Sequence, residues 1–206
     1  MMKLYYATGT CALASHIALE EAGADYSTVK INFATGEQRS LEYLAINPKG
    51  RVPSLVTERG ILTETPAMLA YIAQSYPKAK LAPLDDPFGF AEVQAFNSYL
   101  CSTVHVAHAH RMRGTRWVDD PAAIDAMKRK VPETVGACFE LIETKMIKGP
   151  WVMGDTYTIC DPYLFTIANW LEGDSVDPAR FPKVKAHRDR MAARPAVSKV
   201  VAAEKA

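Results

Sequence analysis

Cys11 is the residue in this chain best placed to do chemistry. It stands where the loop Ala7-Thr8-Gly9-Thr10 gives way to a helical pattern, so a first strand would deliver its thiol to a helix N-terminus. There the positive end of the helix dipole and unpaired backbone N–H groups predict a lowered pKa and a thiolate. The other role open to it is that of a small apolar residue closing the helix start. A thioredoxin-type dithiol would need a second cysteine three residues on, where Ala14 stands. A reactive Cys11 would therefore work with an external thiol.

Two further stretches carry recognition chemistry. In Asn47-Pro48-Lys49-Gly50-Arg51-Val52-Pro53 a turn meets a strand opened by proline, where a cis Val52-Pro53 bond could expose the backbone of Val52 to an extended, peptide-like ligand. Glu64-Thr65 stands at a helix start, where backbone donors suit a carboxylate, although a plain helix cap has the same pattern. Cys101, His105 and His108 fall at i, i+4 and i+7 and could hold a metal from one helical face, but no convergent ligand from elsewhere completes such a site. No metal is expected. His16 and His187 are assigned to structure or surface, and Cys138 and Cys160 to the core.

The elements that must position these residues change character along the chain. Leu4–Tyr6 and Tyr26–Ile31 have strand composition around a helical stretch, Cys11–Ala22, stopped by Gly23. Ser40–Ile46 predicts a short helix, and Val52–Thr57 with Ile61–Thr63 a hairpin. The next helix has Thr65 as cap, Pro66 in its first turn and Pro77 as its stop. The order β-α-β-α-β-β-α is that of a thioredoxin fold, so residues 1–77 are predicted as an α/β thioredoxin-like domain. Residues 78–87, within a proline-rich run, form a linker, and 88–206 form an all-α domain. In that half, helices are predicted over about 90–112, 120–147 with Pro132 as a kink, 158–171 and 182–193.

Bulk properties narrow the function. The chain has 206 residues with 24 Lys+Arg against 23 Asp+Glu, so no net field favours nucleic acid or an anionic membrane. No stretch approaches the roughly 20 apolar residues of a membrane span, and no signal peptide is seen, which predicts a cytoplasmic protein.

Taken together, Cys11 after a glycine-containing loop, Asn47-Pro48-x-Gly50-x-Val52-Pro53 and Glu64-Thr65-x-Ala67-Met68-x-x-Tyr71-Ile72 resemble the glutathione-site segments of cytosolic glutathione transferases, in the same order. Thr158-Ile159-Cys160-Asp161 resembles the family's capping box in the helical domain. A cysteine in the first-helix segment, followed by Ala14-Ser15-His16-Ile17-Ala18-Leu19, resembles the bacterial beta class in particular. That class pairs its cysteine with a histidine of the long first helix of the second domain. The resemblance therefore implies His105 as the second catalytic residue, with Ser98 and Ser102 on the same helical stripe beside the glutathione. Val52, Pro53, Glu64 and Thr65 would bind glutathione. Thr8 stands where the class has proline, and Ala12 replaces a serine that often follows the cysteine, which leaves Cys11 and His105 as the candidates.

The implied activity is conjugation of the glutathione thiolate to an apolar electrophile in a detoxifying homodimer, with thiol-disulfide exchange through Cys11 as a second chemistry. A glutathione-fold protein that binds apolar ligands or a partner without turnover is the alternative.

Overall fold

Strand β1 (Met2–Tyr6) alternates inward Met2, Leu4 and Tyr6 with outward Lys3, as a half-buried strand must. Helix α1 (Ala12–Glu21) has no polar face: Ala12 to Leu19 are all buried, because the helix lies between the sheet and the helical half. It returns the chain to β2 (Tyr26–Lys30), which pairs parallel to β1 with Leu4 opposite Thr28. The short α2 (Leu41–Ile46) starts at Ser40, whose hydroxyl accepts the Tyr43 N–H. The hairpin β3 (Ser54–Thr57) and β4 (Gly60–Thr63) completes a four-stranded sheet in the order β2-β1-β3-β4, with β3 antiparallel to β1. Helix α3 (Thr65–Ser75) covers it beside α1. This computed structural model describes residues 1–205, and the sheet half is thioredoxin-like as the sequence predicts.

The rest is helical: α4 (Pro87–Tyr99), α5 (His105–Ala109), α6 (Pro121–Leu141), α7 (Cys160–Ala168), α8 (Pro182–Ala192) and α9 (Pro195–Lys205). Three outcomes differ from the sequence-based expectation. A π-helical turn at Leu100–Val104 interrupts the helix predicted over 90–112. Thr65 is the first residue of α3, not its cap; Glu64 occupies the cap position at φ 71° without a side-chain bond. Helix α9 lies outside the predicted helices, because its apolar face is short and its main partner is α1 at the other end of the chain.

The two halves are tied through α1 and α9. His16 Nδ1 pairs with Glu204 Oε1 at 2.9 Å with both side chains buried, and Arg194 clasps Glu21 with bonds of 2.6 and 2.8 Å. The capping box at α7 is present. Asp161 accepts the Thr158 N–H at 2.7 Å and the Thr158 hydroxyl accepts the Cys160 N–H at 3.3 Å. Asp161 also accepts the Val152 N–H and His187 Nε2, each at 2.9 Å, so His187 is structural. No helix of the described residues is long and apolar enough to cross a membrane.

Candidate active site

Cys11 occupies the cap position of α1, at the floor of a cleft of about 640 Å³ between the two halves. Thr10 prepares the turn: its hydroxyl donates to Ala7 O at 2.7 Å and accepts the Ala12 N–H at 3.3 Å. The Cys11 thiol donates to Val52 O at 3.6 Å. Burial pushes its pKa up, against the lowering effects of the Thr65 hydroxyl and the Arg113 charge. Burial thus works against the thiolate expected from the helix dipole and favours the thiol that donates to Val52 O. Loss of hydration outweighs the half-charge of a helix end.

The sheet-side wall is built by local bonds. Asn47 Nδ2 and Tyr43 Oη both donate to Arg51 O at 2.6 Å, fixing the turn before the cis Val52-Pro53 bond. Gly50 is required there: it takes φ 59°, and a Cβ would come within 3.0 Å of Gln38 O. Val52, Pro53, Glu64 and Thr65 all line the cleft beside Cys11, and Glu64 is held by Lys49 Nζ at 2.5 Å.

On the opposite wall His105 faces the same cleft, edge-on to Trp170 with ring centroids 5.0 Å apart. Its pKa is pushed down to about 4, first by burial and then by His108, Arg113, Arg116 and Arg51. His105 is therefore a neutral imidazole at neutral pH and does not titrate there as its residue type alone suggests.

Ser98 and Ser102 are not brought to this cleft. Both are exposed, and the Ser102 hydroxyl donates to Ser98 O at 2.8 Å. Their alignment with His105 assumed a continuous α-helix, whereas Ser102 lies within the π turn Leu100–Val104. Cys101, His105 and His108 line the same cleft, but His108 is already engaged. Its Nδ1 meets the buried Asp174 carboxylate at 2.7 and 2.9 Å while its ring stacks on Trp170 at 4.3 Å. Among the described residues no group of three or more His, Cys, Asp or Glu side chains could hold a metal ion.

Sequence reasoning missed several lining residues. Trp170 crosses the cleft and donates its Nε1–H to Gly9 O at 3.0 Å, clamping the loop before Cys11. Arg39, Arg51, Arg113 and Arg116 also line it. A signal for the last two existed in the local run Arg111-Met112-Arg113-Gly114-Thr115-Arg116, hidden by the balanced net charge.

Residues 1–74 match the family model of the glutathione S-transferase N-terminal domain, and residues 105–195 that of its C-terminal domain. This chain belongs to the glutathione S-transferase family. It is 31% identical over 206 residues to the glutathione S-transferase GstA of Escherichia coli O157:H7, with 98% of each chain covered. A glutathione transferase homologue from Sulfitobacter, solved with bound glutathione, is 47% identical with a TM-score of 0.94, covering 97% of this chain and 96% of that one. A beta class glutathione S-transferase from Sphingomonas chungbukensis is 32% identical with a TM-score of 0.86 and 98% of each chain covered. The glutathione S-transferase fold thus accounts for both halves, and the beta-class likeness agrees with a cysteine at the first helix.

Proposed function

We propose that this transferase binds glutathione along Val52 and the Glu64-Thr65 turn and conjugates its thiol to an electrophile with an apolar body. The observation that carries this is one cleft holding, on opposite walls, a cysteine at a helix start and a histidine that burial keeps neutral. Among the described residues no protein acceptor takes the Val52 N–H, so it is free to pair with the ligand's peptide backbone. The N-terminus of α3 offers orphan N–H groups to one glutathione carboxylate.

With the ligand sulfur between Cys11 and His105, each can donate a hydrogen bond that stabilises the thiolate more than the thiol. The thiolate then forms the C–S bond, and Val106, Met112 and Trp117 supply apolar contact for the electrophile. In this scheme residues 1–77 hold glutathione, 78–87 link, and 88–206 supply the electrophile side. As a companion activity, the Cys11 thiolate can attack a glutathione disulfide, forming the mixed disulfide and releasing one glutathione thiolate, and a second glutathione then reduces it. A cytoplasmic homodimer fits the family membership, and exposed Leu41 and Phe88 are candidates for cover by a second copy.

Steady-state conjugation of a chloronitrobenzene separates the two roles. Cys11→Ala is expected to abolish mixed-disulfide formation while retaining conjugation reduced about tenfold, as one missing hydrogen bond implies. His105→Ala is expected to lower kcat with little change in the glutathione KM. Unchanged kcat in both variants would place the reacting sulfur elsewhere, and binding of glutathione with no turnover in the wild type would favour a non-catalytic binding protein.

A further inference from the structure

The cleft carries more positive charge than glutathione needs. Four guanidinium groups line it, those of Arg39, Arg51, Arg113 and Arg116, against one carboxylate, Glu64, which Lys49 already holds. Among the described residues none of the four makes an ion pair or a side-chain hydrogen bond with the protein. They repel one another instead: burial, followed by the charges of Arg113, Arg51 and Arg39, lowers the Arg116 pKa. The charges of Arg113, Arg116 and Arg51 likewise help keep His105 neutral. Uncompensated like charges around one cavity cost stability, and a bound anion offsets that cost.

Glutathione brings two carboxylates. One is met by the backbone at α3, and the other is within the province of Arg39 and Arg51, which belong to the sheet-side half. Arg113 and Arg116 sit on the turn after α5, on the wall that carries His105, Met112 and Trp117. We infer that the electrophile itself bears an acidic group, a carboxylate or an equivalent oxyanion, seated on Arg113 and Arg116 while its apolar body lies against Met112 and Trp117. This rests on the conjugation proposed above and names its substrate class. In a substitution the thiolate lone pair forms the C–S bond, a halide leaves with the C–halogen pair, and the thiol proton passes to solvent. The arginines touch only the remote anionic group, so they determine specificity.

The test is calorimetric binding of two glutathione conjugates of matched length, S-butylglutathione and S-(3-carboxypropyl)glutathione, to the full chain. The acidic conjugate is expected to bind at least tenfold more tightly at low salt. That ratio should fall toward one in Arg113→Gln/Arg116→Gln, and by a smaller factor in the exposed single variant Arg116→Gln, which bears on fewer contacts should the double variant fold poorly. Equal affinities in the wild type would overturn the inference and leave the transferase assignment standing. A double variant that weakens both conjugates and free glutathione alike would assign the arginines to glutathione's own carboxylate and overturn it too. Failure of the wild type to bind glutathione or either conjugate would remove the proposed function, and the inference with it.

Discussion

The two walls of the cleft are made in different ways. On the sheet side Asn47, Gly50, Val52, Pro53, Glu64 and Thr65 lie within 19 residues, and the bonds from Tyr43 and Asn47 to Arg51 O are local. On the helical side His105, His108, Arg113, Arg116 and Trp170 are gathered over more than 60 residues, and the bonds that fix this wall, His108 to Asp174 and Trp170 to Gly9 O, join residues far apart in the chain. A wall built from short-range bonds leaves a motif in the sequence. A wall built by helix packing leaves little more than a pattern of faces, and that is where a substrate's identity is read.

The helical wall should fail first if its buried scaffold is cut. Asp161 satisfies the Val152 and Thr158 N–H groups and His187 at once from a fully buried position. Asp161→Ala is expected to lose about 3–5 kcal/mol in urea unfolding, since several buried donors go unsatisfied together. A loss below about 1 kcal/mol would show that the capping box does not support this half.

A smaller effect should come from acid. His105 is held near 4 instead of 6.5, so between those values the unfolded chain binds a proton that the folded chain does not. Its contribution is complete above pH 6.5 and is lost as pH falls toward 4. Water reaching the half-buried ring limits the loss to about 1–2 kcal/mol. The acid limb of the stability curve should flatten in His105→Ala; an unaltered limb would mean that the ring is solvated like a free histidine.

The direct bond from Trp170 to Gly9 O sharpens the comparison further. Trp170→Phe keeps an aromatic ring over His108 but removes the donor to Gly9 O, which should cost about 1 kcal/mol and speed amide exchange in the loop before Cys11. Unchanged exchange there would mean that the loop is fixed by the Thr10 bonds alone.

The same contrast explains what the sequence reveals. The βαβ start, the hairpin, the Val52-Pro53 strand opening and the Thr158–Asp161 box are readable because each depends on residues close together in the chain. Cys11 and His105 line one cleft from opposite walls. The alignment of Ser98 and Ser102 fails because periodicity carries no sign of a π turn. The upward push of burial on the Cys11 thiol and the neutrality of His105 are equally invisible, since burial is the leading cause of both and follows from packing between the two halves. Helix α9 escapes notice because its main partner, α1, lies at the other end of the chain.

The central claim is that both walls meet at one sulfur. A crystal structure with glutathione tests it most directly. The account predicts the ligand backbone paired with Val52, one carboxylate at the start of α3, and the sulfur within hydrogen-bonding distance of both the Cys11 thiol and the His105 ring. Glutathione bound with its sulfur remote from His105, or along a surface that does not include Val52, would contradict it.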